Sequence, residues 1–209
     1  MNLLDRAVVD KNVDEFKWLE ERRKGVTATE VSKLSKGQAA VRRNLLAEKQ
    51  TGESSFKGNK YTAWGLEREV AISSTMEIRH GFEASDVLFY AESNKRHLAT
   101  PDAIYLAEDH TLVAEIKTSK HDLYSKGPYF KKSTYLDQIQ WQMYVCNALE
   151  SLYVWEQHDD DWILGADGME RPTPVLRTWE WIKRDDSRIA ELVLIADEFL
   201  DHMDWISEA

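Results

Sequence analysis

Asp102, Glu115 and Lys117 are the residues whose types and spacing promise chemistry. Asp102 begins one β-rich segment and Glu115 ends the next, the two being joined by the short polar turn AEDH, so that two carboxylates on neighbouring strands can converge on one cation. Lys117 follows Glu115 by two positions, and alternation along a strand turns residues i and i+2 to the same face. Hard oxygen ligands of this kind suit Mg²⁺, with Mn²⁺ as a substitute; such a site keeps several waters and takes one or two carboxylates plus a substrate phosphate. The main-chain carbonyl of Ile116 offers a further ligand, and Glu69, on a predicted helix, can anchor the water shell.

That set matches the needs of phosphodiester hydrolysis. The reaction requires neutralised phosphoryl oxygens, a deprotonated water in line with the scissile bond, and help for the departing oxyanion. An acid–x–lysine pair alone is common on solvated strand faces. Here Pro101 fixes the start of the Asp102 strand, and Ile104, Val113 and Ile116 supply an apolar frame to hold the acids rigid.

The elements that must position these groups are legible from periodicity. Apolar residues between Val13 and Arg23 predict a short amphipathic helix closed near Gly25, and Thr27 with Glu30 three residues on is a capping-box pattern that starts a second helix. Such an N-terminus, with its free N–H groups, suits a phosphate. Helices are predicted for Gln38 to Gln50 and from Ala63 to about Met76, separated by the loop TGESSFKGNK. DVLFY, HLATPDAIY and TLVAEIK predict an antiparallel group of strands. A helix from Ser133 to Leu149, strands at LYVWEQ and PVLRTWEWI, and a helix from Arg184 to Trp205 complete the chain.

Composition narrows the classes. A chain of 209 residues, 43% hydrophobic, predicts one domain with one sizeable core. The single cysteine, Cys146, excludes a disulfide framework and a cysteine-cluster metal site. The apolar runs are shorter than a membrane span and the first residues carry acids, which predicts an intracellular, cytoplasmic protein with no membrane partner. A net charge of -10 is unfavourable for binding DNA, but charge is segregated: Lys117, Lys120, Lys126, Lys131 and Lys132 stand near one another in sequence while the tail is acidic. The Gly/Pro-containing stretch KHDLYSKGPYFKK is expected to act as a phosphate-tracking arm. His97, His110 and His121 lack partners at metal-motif spacing and are expected at the surface or behind the site, and Trp18, Trp64, Trp141, Tyr144 and Val145 are expected to pack.

Five segments in order, WLEERRKGVTATEV, WGLEREVA, TPDAIY, EIKTS and YLDQIQWQMYV, spanning roughly residues 18 to 145, resemble the YqaJ-type viral recombinases, the phage lambda exonuclease family of the PD-(D/E)XK nuclease superfamily. The resemblance implies an α/β fold with a restriction-endonuclease-like core: a mixed central β-sheet flanked by helices, preceded by N-terminal helices. It assigns metal-ligand positions to Asp102 and Glu115, the catalytic lysine to Lys117 and the helix-borne acid to Glu69, the four that the residues themselves suggest. It also implies contact with a DNA 5′-phosphate by Arg22, or its neighbour Arg23, and by Thr29, where the lambda enzyme is associated with serine. Gln138, with Tyr135 and Gln142 near its helical face, matches a glutamine that touches substrate or organises the water of the metal; Gln140, two residues on, falls on another helix face. The function so implied is Mg²⁺-dependent digestion of the 5′-ended strand of duplex DNA ends by a trimeric ring, leaving 3′ single strands for a single-strand annealing protein. A single-strand or nicking endonuclease on the same core, and a non-catalytic DNA-end scaffold, are the alternatives.

Overall fold

The structure is a computed structural model, describing residues 2–53 and 57–208, with side chains through Ile206; the loop expected over 54–56 lies outside the described residues. After a 3-10 turn, strand β1 (Ala7–Asp10), helix α1 (Glu15–Lys24), β2 (Val26–Thr27), α2 (Ala28–Leu34), α3 (Ala39–Thr51) and α4 (Lys60–His80) follow one another. Then come β3 (Glu83–Ala84), β4 (Val87–Ala91), β5 (Asn94–Ala99), β6 (Ala103–Leu106), β7 (Thr111–Ser119), α5 (Pro128–Lys132) and α6 (Tyr135–Cys146). The chain continues through β8 (Glu150–His158), the short β9 (Ile163–Leu164) and β10 (Glu170–Arg171), and β11 (Pro174–Lys183) to α7 (Asp186–Glu208).

The strands form two principal sheets, ordered β1-β4-β5-β2 and β11-β8-β7-β6-β3. This corrects the expectation of one antiparallel group: β4/β5 and β6/β7 are antiparallel pairs, but they belong to different sheets, and β7 pairs with β8 in parallel. The stretch HLATPDAIY is therefore two strands. Pro101 lacks the N–H a ladder needs, and at this break the chain leaves the first sheet and starts β6 in the second. Asp102 sits at that crossing, its N–H donating to Ala114 O at 3.2 Å and its carbonyl accepting from Ser85 N at 3.0 Å.

Helix α6 lies between the sheets and α4 covers the outer face of the five-stranded one. Alternation along β7 divides its residues between the two cores: Val113 packs with Ile139, Trp141, Met143 and Tyr153, whereas Ala114 and Ile116 pack with Ile72, Met76, Leu152 and Val154. Glu115 and Lys117, having the parity of Val113, face α6. Helix α4 is longer at both ends than expected. The Asn59 side chain accepts from the N–H groups of Tyr61 and Thr62 at 3.0 and 3.1 Å, and Gly81 closes the helix in the left-handed region at φ 71°.

One N-terminal expectation needs correction. Helix α1 buries no residue, and Phe16 and Leu19 are exposed, so its apolar residues are not a core-facing stripe. The helix does end at Gly25, as expected; that residue is extended, and what demands glycine is proximity, because a Cβ there would lie 2.1 Å from Arg96 O, across the parallel β2/β5 pair. The next residues behave as their pattern predicts: Thr27 N–H donates to Glu30 Oε2 at 2.8 Å at the start of α2.

Candidate active site

Glu115 is completely buried, and its carboxylate is held by hydrogen bonds from three side chains. Oε1 accepts from the Lys117 ammonium and from Gln138 Nε2 at 2.5 Å; Oε2 accepts from Gln142 Nε2 at 2.5 Å. Gln138 and Gln142 are one helical turn apart on α6, and this i,i+4 spacing brings both amides to the same carboxylate. Gln140 faces elsewhere, donating to Lys183 O at 2.9 Å and accepting from Asp185 N at 2.8 Å. Gln142, which the sequence places near the helical face of Gln138 without giving it a role, is thus a site residue as well.

Asp102 is brought beside Glu115, and its Oδ2 accepts from the Ile116 main-chain N–H at 2.6 Å. Burial pushes its carboxyl well above the usual carboxylate range, and the like charges of Glu115 and Glu69 add to this against the pull of Lys117 and the Ile116 N–H. Glu69, half-buried on α4, is also raised, first by burial, then by Asp86, with Lys117 opposing. Burial alone would lower the Lys117 ammonium, but Glu115 and Asp102 hold it above the ordinary lysine value. The two carboxylates thus favour the charged form of Lys117. Its Nζ also lies 5.2 Å from the centre of the Tyr135 ring.

Three acids crowd one lysine and raise the carboxyls of Asp102 and Glu69, a strain that a cation would relieve, and the amide oxygen of Gln142 is buried without a hydrogen-bond partner. A divalent cation fits this donor chemistry. Among the described residues no three Asp, Glu, His or Cys side chains gather into a complete metal cage, so an ion here would rely on Asp102, Glu115, the Ile116 carbonyl, water and substrate oxygens. That sparse protein contribution suits Mg²⁺.

A second group lies on α1, α2 and α3. Arg22 and Thr29 line a cavity of about 340 Å³ together with Glu30, Lys33, Asn44 and Glu48. The Arg22 guanidinium stacks 4.1 Å from the centre of the Trp18 ring, and burial lowers its pKa against the attraction of Glu30. Trp18 is accordingly a partner of this cavity and not a core residue. Arg23 is differently engaged: its donors reach Lys49 O at 3.3 Å, Gln50 O at 3.0 Å and Glu20 at 3.1 Å, closing the C-terminus of α3. Helix α2 is tied to α6 through Ser32 to Thr134 at 3.2 Å and Ser35 to Asp137 at 2.6 Å, so the cavity and the glutamine pair share one framework.

The remaining expectations divide. Trp64, Trp141 and Val145 are buried, Tyr144 is partly so, His110 pairs with Asp109, and His121 stacks on Tyr129 at 4.1 Å. His97 is neither at the surface nor behind the site. It is buried between Tyr144 Oη, 2.8 Å from Nδ1, and Asp197, 3.0 Å from Nε2, and so links β5 to α6 and α7.

The structure resembles that of the alkaline exonuclease LHK-Exo from Laribacter hongkongensis, with TM-score 0.65 and 22% identity over 92% of this chain and 94% of that one. The complex of LHK-Exo with dAMP gives TM-score 0.67 and 24% identity at the same coverage. A phage-related exonuclease from Haemophilus somnus gives 0.60 and 20%, covering 81% of this chain and 82% of that chain. These likenesses establish the fold, the mixed α/β architecture of these exonucleases. No curated protein matches the chain in sequence. The model of the YqaJ-like viral recombinase domain matches residues 17–149, a span holding Arg22, Thr29, Glu69, Asp102, Glu115, Lys117, Gln138 and Gln142, and the chain belongs to that family.

Proposed function

We propose that the protein is a Mg²⁺-dependent exonuclease that digests the 5′-ended strand of duplex DNA and leaves a 3′ single strand for an annealing partner. The observation that carries this reading is the buried Glu115 carboxylate in the middle of β7, set beside Asp102 and Lys117 and gripped by Gln138 and Gln142. Membership of a recombinase family and the fold shared with LHK-Exo, an alkaline exonuclease, support the substrate class.

Asp102 and Glu115, with the Ile116 carbonyl, would hold the cation, and Glu69 would bind its water shell. A bound Mg²⁺ supplies charge neutralisation at the phosphoryl oxygens and acidifies water. Lys117, as an ammonium, orients the attacking water and stabilises the charge that builds on the phosphoryl group. The glutamine pair fixes the direction of both Glu115 oxygens, as hydrogen-bonded supports of metal-binding carboxylates do. Arg22 and Thr29 receive the 5′-phosphate: the guanidinium offers a planar fork of donors and the start of α2 offers N–H groups.

Binding of DNA by a chain of net charge -10 is explained by assembly into a closed trimer whose inner surface collects the basic residues. The direct test compares end-labelled linear duplex, covalently closed circular duplex and single-stranded DNA in Mg²⁺. Release of nucleotides from 5′ ends of linear duplex, with circles untouched, is expected. Nicking of circles or preference for single strands would replace the exonuclease reading with an endonuclease one, and binding without cleavage would leave a DNA-end scaffold.

A further inference from the structure

The cavity proposed to receive the 5′-phosphate has an electrostatic problem. Arg22 and Lys33 bring two positive charges to its wall, but Glu30 and Glu48 bring two negative ones. A wall of zero net charge is a poor receptor for a terminal phosphate, which carries between one and two negative charges near neutral pH. Glu30 is the more awkward of the two acids because it attracts the Arg22 guanidinium that must answer the phosphate.

Behind this wall lies a lysine that no motif accounts for. Lys49, on α3, has a side chain only 5% exposed, and its ammonium is 2.8 Å from Glu30 and 2.6 Å from the main-chain oxygen of Arg22. Glu30 in turn accepts from Thr27 N–H at 2.8 Å. One buried cation thus touches the carboxylate that opposes the ligand and the backbone of the arginine that attracts it. Burying an ammonium is costly unless it is paired and hydrogen-bonded, and burial does lower the Lys49 pKa against the attraction of Glu30. A purely apolar α3 face would have avoided that cost.

We propose that Lys49 is the buried counter-ion of the 5′-phosphate cavity: it cancels Glu30 and fixes the Arg22 backbone, making the cavity selective for a phosphorylated end of DNA. Lys49 does not line the cavity and acts as a positioning residue. This rests on the assignment of Arg22 to the terminal phosphate, and the variants below separate the two ideas. Lys49→Met leaves Glu30 uncompensated; Glu30→Gln removes the opposing charge while its amide oxygen still accepts from Thr27 N–H. If Lys49 served only to hold three helices together, both substitutions would harm the cavity alike. As a counter-ion, it makes them opposite in sign.

The experiment measures the dissociation constants of 5′-phosphorylated and 5′-hydroxyl duplexes of one sequence by fluorescence anisotropy in EDTA, where no cleavage competes, with KM on both ends measured in Mg²⁺. Lys49→Met is expected to reduce the preference for the phosphorylated end by ~10-fold or more, Glu30→Gln to increase it severalfold, and the double variant to return it towards wild type. Arg22→Ala should abolish the preference. If Arg22→Ala leaves it intact, the phosphate assignment and this proposal fall together. If Arg22→Ala abolishes it while Lys49→Met retains it, or the double variant fares no better than Lys49→Met, the counter-ion role alone is overturned. Should Lys49→Met not fold, Glu30→Gln decides by itself: an unchanged or weakened preference refutes the proposal.

Discussion

Replacing Gln142 by leucine is the sharpest test of how the candidate active site is held. Glu115 has no solvent contact, and Gln142 Nε2 is the hydrogen-bond donor to its Oε2, while Oε1 keeps Lys117 and Gln138. Leucine fills nearly the same volume and donates nothing, so one lone-pair region of a buried carboxylate loses its partner. Stranding an ionised acceptor in this way costs roughly 1.5–3 kcal/mol. For a chain of this size each kcal/mol lowers Tm by about 2–4 °C, so metal-free protein should melt about 3–12 °C lower than wild type. A bound cation faces the same carboxylate and replaces part of the lost stabilisation, so the deficit should shrink in Mg²⁺. Turnover should fall by roughly 10- to 100-fold, as with other residues that orient a metal-binding carboxylate. Thermal unfolding by calorimetry in EDTA and in Mg²⁺, paired with nucleotide release from duplex ends, reads both effects. Gln140→Leu is the control: it loses the bonds to Lys183 O and Asp185 N, so its deficit should be equal in the two conditions. An equal deficit for Gln142→Leu in EDTA and Mg²⁺, together with normal turnover, would refute the argument and make Gln142 a packing residue.

Three further outcomes are expected. Glu115→Ala and Lys117→Ala should each lower the rate of hydrolysis by at least ~10²-fold while DNA binding survives, and Ca²⁺ should permit binding without turnover; full activity of Lys117→Ala in Mg²⁺ would remove the site assignment. Sedimentation at working concentration should give the mass of a trimer, and a monomer with and without DNA would remove the ring while sparing the nuclease. Burial would raise the Asp137 carboxyl, but bonds from Arg188, both 2.8 Å, and from Ser35, 2.6 Å, hold it below its ordinary value. Because the folded pKa is depressed, the stability this group adds is complete above the unfolded value of about 3.9 and is lost as pH falls through the folded one. Asp137→Asn should therefore flatten the fall of Tm with pH below about 4, and an unchanged acid limb would show that the α6/α7 contact does not depend on this charge.

What the sequence discloses depends on the range of the interaction. The i,i+2 relation of Glu115 and Lys117 is local, and it survives in the structure because strand alternation needs no knowledge of the partner strands. The link between Thr27 and Glu30 is local for the same reason. The division of β5 and β6 between two sheets is not, since Pro101 marks a break without saying which strands wait on either side. Helix α1 misleads because an apolar residue records a tendency to be buried but not the surface that will bury it. His97 misleads oppositely: apart from Asn94, its partners Tyr144 and Asp197 lie 47 and 100 residues away, on α6 and α7, and no spacing rule reaches them. Gln142 was legible in principle, because a helix that turns Gln138 toward the strands turns the residue four positions on in the same direction.

The segment after Lys117 shows how a net-acidic chain keeps basic side chains exposed in the stretch that follows its candidate active site in sequence. The Gly/Pro-containing stretch from residue 120 to 132 is an anchored arm, not a tether: Leu123 and Phe130 are buried in the principal core, and Phe130 lies 5.1 Å from the Tyr153 ring. With those two anchors inside, Lys126, Lys131 and Lys132 remain exposed, the last two on the final turn of α5. Lys120 is the exception, since its ammonium is 2.9 Å from Asp160 and much of its charge is answered within the chain. A fixed arm holds its charges without the entropic cost of ordering a flexible segment when DNA binds. The net charge of the whole chain draws heavily on acids elsewhere, as on α7, with Asp197, Glu198, Asp201 and Asp204, whereas the arm is met by Asp122 within it, by Glu180, which accepts from Ser125 N–H at 3.1 Å, and by Asp160. Within a Debye length of about 8 Å at physiological salt, a phosphate near the arm would therefore respond to the three exposed lysines and these few acids, not to the net charge of -10.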